Sequence, residues 1–325
     1  MIPTRNRSAL LAEALASIRS VEGPDLQIEI IVVNDGSTDD TDEVAGRCAD
    51  RVIRSGGWGS SAARNAGAAE ATGEFVAFLD DDDVWTPAQA RPQIQLLRER
   101  PEFGAVVGQI QNVSEDLELA GDPWPANLPT HGDLFASFFR YYPQIGGTVI
   151  RRTALASVGE SDVALWGDQD WDWHLRLALA QKVGFVPVSS VLFRQRPASA
   201  EGEGLEWRRL GYMYRVFWRN IRRGRAAGRL PSWPTLARSL LDHLGAYSGY
   251  FANSAVAHAD QGERRRAVRA LGRAFAASPL HAVAGIVRPR PMRSAILTLV
   301  RGSQAAHRGP DRPPASTATE PTSRP

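Results

Sequence analysis

Hydrophobic and polar positions along the first 85 residues follow a pattern that predicts strands and helices in turn. Apolar residues recur at the spacing of one helical face over 8–20, with Ser8 as the expected N-cap. The β-branched run at 28–33 predicts a strand that ends in the turn signal Asn34-Asp35-Gly36. A helix over 39–49, a short strand at 52–53, a helix over 60–71 and a strand at 75–79 follow.

This order of strand, helix, strand, helix and strand is typical of an α/β fold with a Rossmann-like, mostly parallel sheet and flanking helices. The pattern continues with a helix over 86–100 opened by Thr86-Pro87, strands at 105–110 and 148–151, and helices over 153–158 and 169–182. Beyond residue 204 only helices are indicated: an amphipathic segment at 205–226, then helices over 232–280 with a pair joined at Gln261-Gly262.

These changes predict three parts: an α/β domain at 1–204, a helical region at 205–302 and a tail at 303–325. The tail is rich in Pro, Ser, Thr and Arg, a composition that cannot bury a core and predicts disorder. The first strand is short, because only Met1 and Ile2 precede Pro3, whereas strands usually have about five residues. We therefore expect either a native start upstream of Met1 or a truncated central strand.

Composition limits the class of protein. The 325 residues are 43% hydrophobic and 23% charged, as in an ordinary globular protein, and the net charge of +2 argues against a nucleic-acid partner. Cys48, the one cysteine, allows no internal disulfide and no multi-cysteine zinc site. With neither a secretion signal nor an apolar stretch of about 18 residues, we expect a cytoplasmic protein. Segment 205–226 either covers the α/β domain or rests peripherally on the inner face of a membrane.

The most informative segment is FVAFLDDDDVW at 75–85, an apolar strand that ends in four consecutive aspartates, Asp80 to Asp83. Ligands of open α/β sheets bind at the carboxyl ends of strands, so these carboxylates are expected at the mouth of the sheet. Clustered carboxylates repel one another, and a hard divalent cation such as Mg²⁺ or Mn²⁺ relieves that repulsion. The alternative for this run alone is a solvated acidic turn that binds nothing.

Four segments together resemble the family 2 glycosyltransferases of GT-A fold, and they occur in that family's order. They are IPTRNR at 2–7, IEIIVVNDGSTDDT at 28–41, GSSAARNAG at 59–67 with the acidic strand end after it, and GDQDWDWHLRLA at 167–178. The resemblance covers about residues 1–200. It implies a metal-dependent, inverting transfer of a sugar from a nucleoside diphosphate to the hydroxyl of a glycan or lipid-linked acceptor, in polysaccharide, glycolipid or glycoconjugate assembly.

The resemblance also implies a donor site and a metal ligand in this sequence. The implied donor-binding residues are Pro3, Thr4, Arg5, Asp35, Arg64, Asp80 and Asp81. Asp82 is the implied ligand of Mg²⁺ or Mn²⁺, by alignment of the family's LDxDD pattern from Leu79 onwards. Asp81 takes the variable place, and because all four positions are Asp, a register shifted by one residue stays open. The structural alternatives are a simple turn for Asp35 and a surface helix arginine for Arg64.

The implied catalytic base is Asp170, which as a general base would take the proton of the attacking hydroxyl. Asp168 is expected to be an N-cap, and the family's Glu-Asp pair is Gln169-Asp170 here. Two other classes stay open. One is a catalytically silent nucleotide- or glycan-binding module. The other is a sugar-1-phosphate nucleotidylyltransferase, although IPTRNRS is not the glycine-rich loop expected of it.

Other polar and aromatic residues have both a structural and a functional interpretation. Asp83 is expected to support the metal ligand or the fold. His174 has no HExxH context, so a structural role is expected rather than zinc binding. Four tryptophans could stack on a sugar ring, although burial is the more common role of this residue type: Trp124, Trp166, Trp171 and Trp173.

Overall fold

A computed structural model describes residues 1–87, 90–126, 128, 131–141, 143–195 and 203–287. The chain divides into two compact units, the first made of Met1–Pro197 and Gly204–Leu244 and the second of Ala198–Glu203 and Gly245–Pro325. The sequence-based division at residues 204 and 302 stays a prediction. The tail predicted at 303–325 lies outside the described residues.

The strands and helices alternate through the first 100 residues, as the sequence pattern predicts. The strands are β1 (Ile2–Thr4), β2 (Ile31–Asn34), β3 (Arg51–Arg54), β4 (Phe75–Ala77), β5 (Val84–Trp85), β6 (Phe103–Val113), β7 (His131–Gly132), β8 (Thr148–Arg151) and β9 (Lys182–Arg194). The helices are α1 (Ser8–Arg19), α2 (Thr41–Cys48), α3 (Ser60–Glu70), α4 (Arg91–Glu99), α5 (Phe135–Phe138), α6 (Arg152–Val158), α7 (Gln169–Ala180), α8 (Glu203–Ala226), α9 (Trp233–Asp260), α10 (Arg264–Ala277) and α11 (Pro279–Val287).

Two sheets organise the first unit. One is parallel, in the order β1-β2-β3, and the other is mixed, in the order β4-β8-β6-β9-β5 with β7 on β9. In the mixed sheet β6 and β9 run parallel, whereas β4 and β6 both pair antiparallel with β8. Met1 connects the sheets, because its amino group donates to the Ala77 carbonyl at 2.9 Å and its carbonyl accepts from the Leu79 N–H at 3.1 Å. The carboxyl ends of β1, β2 and β4 therefore meet at one edge.

The core of this unit forms where apolar faces of helices cover the sheet. Leu11 and Leu15 of α1 and Leu97 of α4 are almost fully buried, together with Val32 of β2 and Val106 of β6. Truncation of a leucine in such a place costs about 2–5 kcal/mol. The helical spacing recognised at 8–20 thus corresponds to the buried face of α1.

Some predicted boundaries are wrong. Helix α1 begins at Ser8 with Arg7 in the N-cap position, so Ser8 is not the cap. The helix predicted from Thr86-Pro87 begins only at Arg91, since Ala90 before it has φ +65°, outside the helical region. Val84 and Trp85 instead pair with β9 as β5. The sequence reading also missed β9. That strand contains Pro187, which lies where the β6–β9 register shifts, and a proline is tolerated at such an irregularity because no ladder hydrogen bond is needed there.

Helix α8, which belongs to the first unit from Gly204 onwards, packs one face onto the α/β core and leaves the other face exposed. Met213, Val216 and Phe217 are buried, and the Phe217 ring meets the Phe139 ring edge-on at 5.8 Å. On the opposite face, Trp218 is 46% exposed. The predicted amphipathic helix at 205–226 is confirmed, and its buried face covers the α/β core.

The second unit contains the end of α9, then α10 and α11. Ala255 of α9 and Ala270 of α10 pack together, so small side chains let the two helices approach closely. The turn between them has Gly262 at φ +76°, a conformation that glycine adopts without strain. The predicted helix pair joined at Gln261-Gly262 is confirmed. Among the described residues, no helix combines the length and apolarity needed to cross a bilayer.

Candidate active site

A cavity of about 640 Å³ opens at the edge where β1, β2 and β4 end. The amino ends of α3 and α7 contribute to its wall, so two helix dipoles favour negative charge inside it. Every residue singled out from the sequence for donor, metal or base function lines this one cavity: Pro3, Thr4, Arg5, Asp35, Arg64, Asp80, Asp81, Asp82 and Asp170.

Asp81 is held by residues at the end of β1. Its carboxylate accepts from the Thr4 hydroxyl at 2.8 Å and from Arg7 Nη1 at 2.7 Å. The same Arg7 nitrogen lies 3.4 Å from an oxygen of Asp82. Burial raises the pKa of Asp81, and the neighbouring Arg7 and Thr4 only partly offset that rise. Asp81 therefore fastens the acidic strand end to the β1 loop.

Asp80, Asp82 and Asp83 form a group that fits a divalent cation. One carboxylate oxygen from each lies within 4.8 Å of the others. Asp83 is buried and accepts the Arg194 backbone N–H at 3.0 Å. Its pKa is raised well above the usual value, first by burial and then by the charges of Asp80 and Asp82. An all-oxygen set of clustered carboxylates matches the ligand preference of Mg²⁺ or Mn²⁺.

Arg64 of α3 connects this acidic group to the predicted base. Its side chain is 4% exposed, with Nη2 at 2.5 Å from Asp80 and Nη1 at 3.1 Å from Asp170. Burial would lower the pKa of Arg64, but the charges of Asp170 and Asp80 raise it overall, so the guanidinium stays protonated. The surface-arginine alternative is wrong for Arg64.

Asp170 lies in the first turn of α7. Burial raises the pKa of this carboxyl, as does the charge of Asp80, while Arg64 and Arg209 act in the opposite direction. Asp168 occupies the N-cap position, as predicted, with φ +55° and no capping hydrogen bond from its side chain. Asp170 is therefore a partly desolvated carboxylate held by an arginine, at the wall of the cavity.

His174, one turn after Asp170, is structural. It is fully buried, its Nδ1–H donates to the Asp170 carbonyl at 2.7 Å, and Nε2 accepts from the Thr148 hydroxyl at 2.9 Å. Burial lowers the pKa of His174 to about 4, so the ring is neutral at pH 7. The ring fixes the backbone that carries Asp170.

Asp35 shapes the glycine-rich loop beside the cavity. Its carboxylate accepts the Ser55 hydroxyl and the backbone N–H groups of Gly57 at 3.1 Å, Trp58 at 2.7 Å and Gly59 at 2.8 Å. Burial alone would raise the pKa of Asp35, but these donors lower it overall. Gly57 and Gly59 have φ near +90°, a region that favours glycine. The predicted contact of Asp35 with a nucleotide stays a prediction.

The four candidate tryptophans have different environments. Trp171 and Trp173 are at most 3% exposed, and Trp171 also stacks on His243 with ring centroids 4.1 Å apart. Trp124 is 36% exposed and packs on the Tyr141 ring. Trp166 lines the cavity and is 62% exposed, so its side chain is accessible to a ligand there.

Two arginines and a glutamine of the cavity wall are among the residues that were not identified from the sequence. Arg7 belongs to the IPTRNR segment, whose sixth residue could have been considered alongside Arg5. Gln144 and Arg209 come from outside the recognised segments. Arg209 reaches the cavity because α8 packs against the turn before α7, where the Arg209 side chain lies against Gly167. Only the folded chain reveals that contact.

Known proteins resemble this chain in sequence and fold. A family model described as "Glycosyl transferase family 2" matches residues 1–157. YwdF of Bacillus subtilis, an uncharacterized glycosyltransferase, is 31% identical over 203 residues, which are 59% of this chain and 72% of that protein. The uncharacterized glycosyltransferase alr2836 of Nostoc sp. is 31% identical over 182 residues, or 51% of this chain and only 54% of that protein.

A solved structure shares the fold. The mannosyltransferase PcManGT of Pyrobaculum calidifontis, determined in complex with GDP-Man and Mn²⁺, superposes with a TM-score of 0.55 at 18% identity. The superposition covers 94% of this chain and 84% of that one. At this level of identity the likeness concerns the fold alone.

Proposed function

The chain belongs to glycosyltransferase family 2, and we propose that it moves a sugar from a nucleoside-diphosphate donor to an acceptor hydroxyl, with inversion at the anomeric carbon. The observation that carries this proposal is the cavity in which a partly desolvated carboxylate, Asp170, faces an acidic group that fits a divalent cation across Arg64. A binding module would need no such base.

The donor is proposed to lie along the strand ends. Pro3, Thr4 and Arg5 would line the nucleotide part of the cavity, and Asp80 with Asp81 would contact the nucleotide sugar. The loop that Asp35 holds forms the adjoining wall, which supports placing the nucleoside there. The two helix amino ends and the arginines support placing the diphosphate in the middle, because both favour phosphate oxygens.

The reaction is proposed to depend on Mg²⁺ or Mn²⁺ held by Asp82 with Asp80 and Asp83. The fit of their oxygen atoms supports this assignment. When bound, such a cation offsets the negative charge that develops on the leaving nucleoside diphosphate. Arg64 would add a second positive charge at the same place, on the side that faces Asp170.

Asp170 is the proposed general base. As the acceptor oxygen attacks the anomeric carbon, its proton passes to the Asp170 carboxylate and the bond from that carbon to the diphosphate oxygen breaks. The leaving nucleoside diphosphate carries away the electron pair. A raised pKa supports the role, because a carboxylate with a higher pKa is a stronger base. Attack opposite the leaving group gives inversion in a single displacement.

The acceptor is proposed to be a glycan or lipid-linked molecule, used at the cytoplasmic face of a membrane. The exposed face of α8 supports peripheral contact: Tyr214 is 37% and Trp218 is 46% exposed, and Arg215 and Arg222 are exposed beside them. Exposed aromatic rings flanked by arginines suit a surface of anionic lipids. Cosedimentation with anionic vesicles should exceed that with neutral vesicles, and Arg215→Ala with Arg222→Ala should abolish the difference. Tyr214→Ala with Trp218→Ala should weaken binding to both kinds of vesicle. Leu119→Ala, at an exposed site elsewhere, is the control.

A donor panel tests the proposed function. Purified protein is incubated with UDP-, GDP-, dTDP-, CDP- and ADP-sugars in Mn²⁺ or EDTA, and release of the nucleoside diphosphate is measured. One donor should be turned over in Mn²⁺, with loss in EDTA and in Asp82→Ala. Turnover that is equal in EDTA would contradict metal dependence, and failure with every donor would favour a silent binding module.

A further inference from the structure

Two arginines from different elements reach into the same acidic group. Arg7 comes from the loop before α1 and lies 2.7 Å from Asp81 and 3.4 Å from Asp82. Arg64 comes from α3 and lies 2.5 Å from Asp80. Four consecutive carboxylates thus have two guanidinium groups as internal counter-ions.

The two arginines differ in freedom to move. The Arg64 side chain is 4% exposed and is fixed between Asp80 and Asp170. The Arg7 side chain is 37% exposed and extends from the residue that precedes α1, so it is less confined than that of Arg64, and the Thr4 hydroxyl stays bonded to Asp81 when Arg7 turns away. Arg7 also lines the cavity in which the diphosphate is proposed to bind.

Two positive charges would lie close to the Asp82 carboxylate. One is the Arg7 guanidinium, and the other is a divalent cation bound by the oxygens of Asp80, Asp82 and Asp83. Close positive charges repel, so each weakens the binding of the other. Phosphate oxygens offer a guanidinium an alternative partner of matching geometry. An arginine that leaves Asp82 can therefore bind the diphosphate instead.

We infer that Arg7 occupies the acidic group as a counter-ion in the donor-free protein and exchanges onto the donor diphosphate when the divalent cation binds. This inference rests on the proposed function. It makes Arg7 a further donor-binding residue, and it couples the two ligands: the cation alone binds weakly, and cation and nucleoside diphosphate strengthen each other. Coupling between sites is reciprocal and typically amounts to about 5- to 150-fold in affinity.

The test measures Mn²⁺ binding directly, without turnover. The full chain is titrated with MnCl₂ alone, and free Mn²⁺ is followed by its electron paramagnetic resonance signal. Arg7→Ala removes the competing charge and should bind Mn²⁺ about five-fold or more tightly than the wild type. Arg7→Lys keeps the charge and should stay close to the wild type. Arg19→Ala is the matched control, because Arg19 is 35% exposed and also bridges two carboxylates, those of Glu22 and Asp50, outside the cavity.

The second arm measures the reciprocal effect with nucleoside diphosphates. UDP and GDP are titrated calorimetrically into the protein in Mn²⁺ and in EDTA. For the nucleotide that binds more tightly, the ratio of its affinity in Mn²⁺ to its affinity in EDTA should fall in Arg7→Ala but not in Arg19→Ala. Equal Mn²⁺ affinity in wild type and Arg7→Ala, with an unchanged ratio, would overturn the inference alone. If neither UDP nor GDP binds to the wild type in Mn²⁺, the proposed donor site is overturned, and the inference with it.

Discussion

Helix α7 carries two carboxylates, two residues apart, that have opposite environments. Asp170 faces the cavity with one arginine, Arg64, in contact at 3.1 Å. Asp172 is 1% exposed and is surrounded by donors that lie 2.8–3.0 Å from its oxygens: Arg176, Asn220, Arg219 and Arg223. One carboxylate is left able to take a proton, and the other is committed to holding α8 against α7.

The pKa values of Asp170 and Asp172 are shifted in opposite directions. Burial raises the pKa of Asp170, and its charged neighbours do not cancel the effect. Burial would also raise the pKa of Asp172, but Arg176, Asn220 and the two arginines of α8 lower it overall. The two aspartates of this helix are therefore separated into a reactive and a structural group by the number of donors around each.

Asp170→Asn should abolish most of the turnover, a greater change than in any other variant considered. An amide of the same shape cannot accept the hydroxyl proton, and removal of a general base typically slows a reaction by about 10²- to 10⁴-fold. Single-turnover rates with the donor found in the panel measure the change. A decrease of less than about three-fold, with intact folding by circular dichroism, would remove Asp170 from the role of base.

Asp172→Ala should instead cost stability. Breaking a buried ionic network by removal of one partner typically destabilises by about 3–5 kcal/mol, and the partial exposure of the arginines here favours the lower end. Urea unfolding measures the change, with Asp162→Ala as a control that removes a half-buried carboxylate bonded to Arg219 and to the Ala164 N–H. If the free energy of unfolding were equal in wild type and Asp172→Ala, the structural role would be refuted.

The lowered pKa of His174, the residue that fixes the backbone of Asp170, predicts that the folded protein loses stability in acid. Burial lowers its pKa from 6.5 to about 4, so the unfolded chain takes up a proton first and stability falls as the pH drops from 6.5 towards 4. At about 1.4 kcal/mol per pKa unit, the loss approaches about 3 kcal/mol. The free energy of unfolding, measured with urea at several pH values in this range, should fall less steeply with decreasing pH in His174→Asn than in the wild type. An equal pH dependence in both would contradict the structural role of His174.

A smaller change is expected when the two aspartates are compared through their effects on stability. The lowered pKa of Asp172 gives stability that is present above its unfolded pKa and is lost as the pH falls through the folded pKa. The raised pKa of Asp170 has the opposite sign, so its charge costs stability at neutral pH. At pH 7, Asp172→Asn should therefore lower the unfolding midpoint, whereas Asp170→Asn should leave it equal or higher. Equal decreases in both variants would erase the distinction.

Much of the fold and of the candidate site could be predicted because the signals are local. The family resemblance and the GT-A fold class inferred from IPTRNR, the strand ending at Asp35, the segment around Arg64 and the acidic strand end are confirmed. Each of these segments contains its own strand end or helix start, so short-range patterns suffice. Their convergence on one cavity then follows from the sheet topology.

The remaining features depend on contacts between distant segments. Strand β9 forms despite Pro187 because pairing with β6 overrides local propensity. Arg209 reaches the cavity, and Asp172 becomes structural, only because α8 packs on α7. No spacing within residues 167–178 distinguishes Asp172 from Asp170, since both are aspartates in the first turn of the helix.

The role of the acidic strand end in holding the nucleotide sugar is tested by calorimetric titration. The donor identified by the panel is titrated into wild type, Asp170→Asn and Asp82→Ala, each in Mn²⁺ and in EDTA. We expect Asp170→Asn to bind the donor within a few-fold of the wild type in Mn²⁺, and EDTA or Asp82→Ala to abolish binding. Donor binding that is equal in Mn²⁺, in EDTA and in Asp82→Ala would contradict this expectation, because the acidic strand end would then have no part in holding the nucleotide sugar.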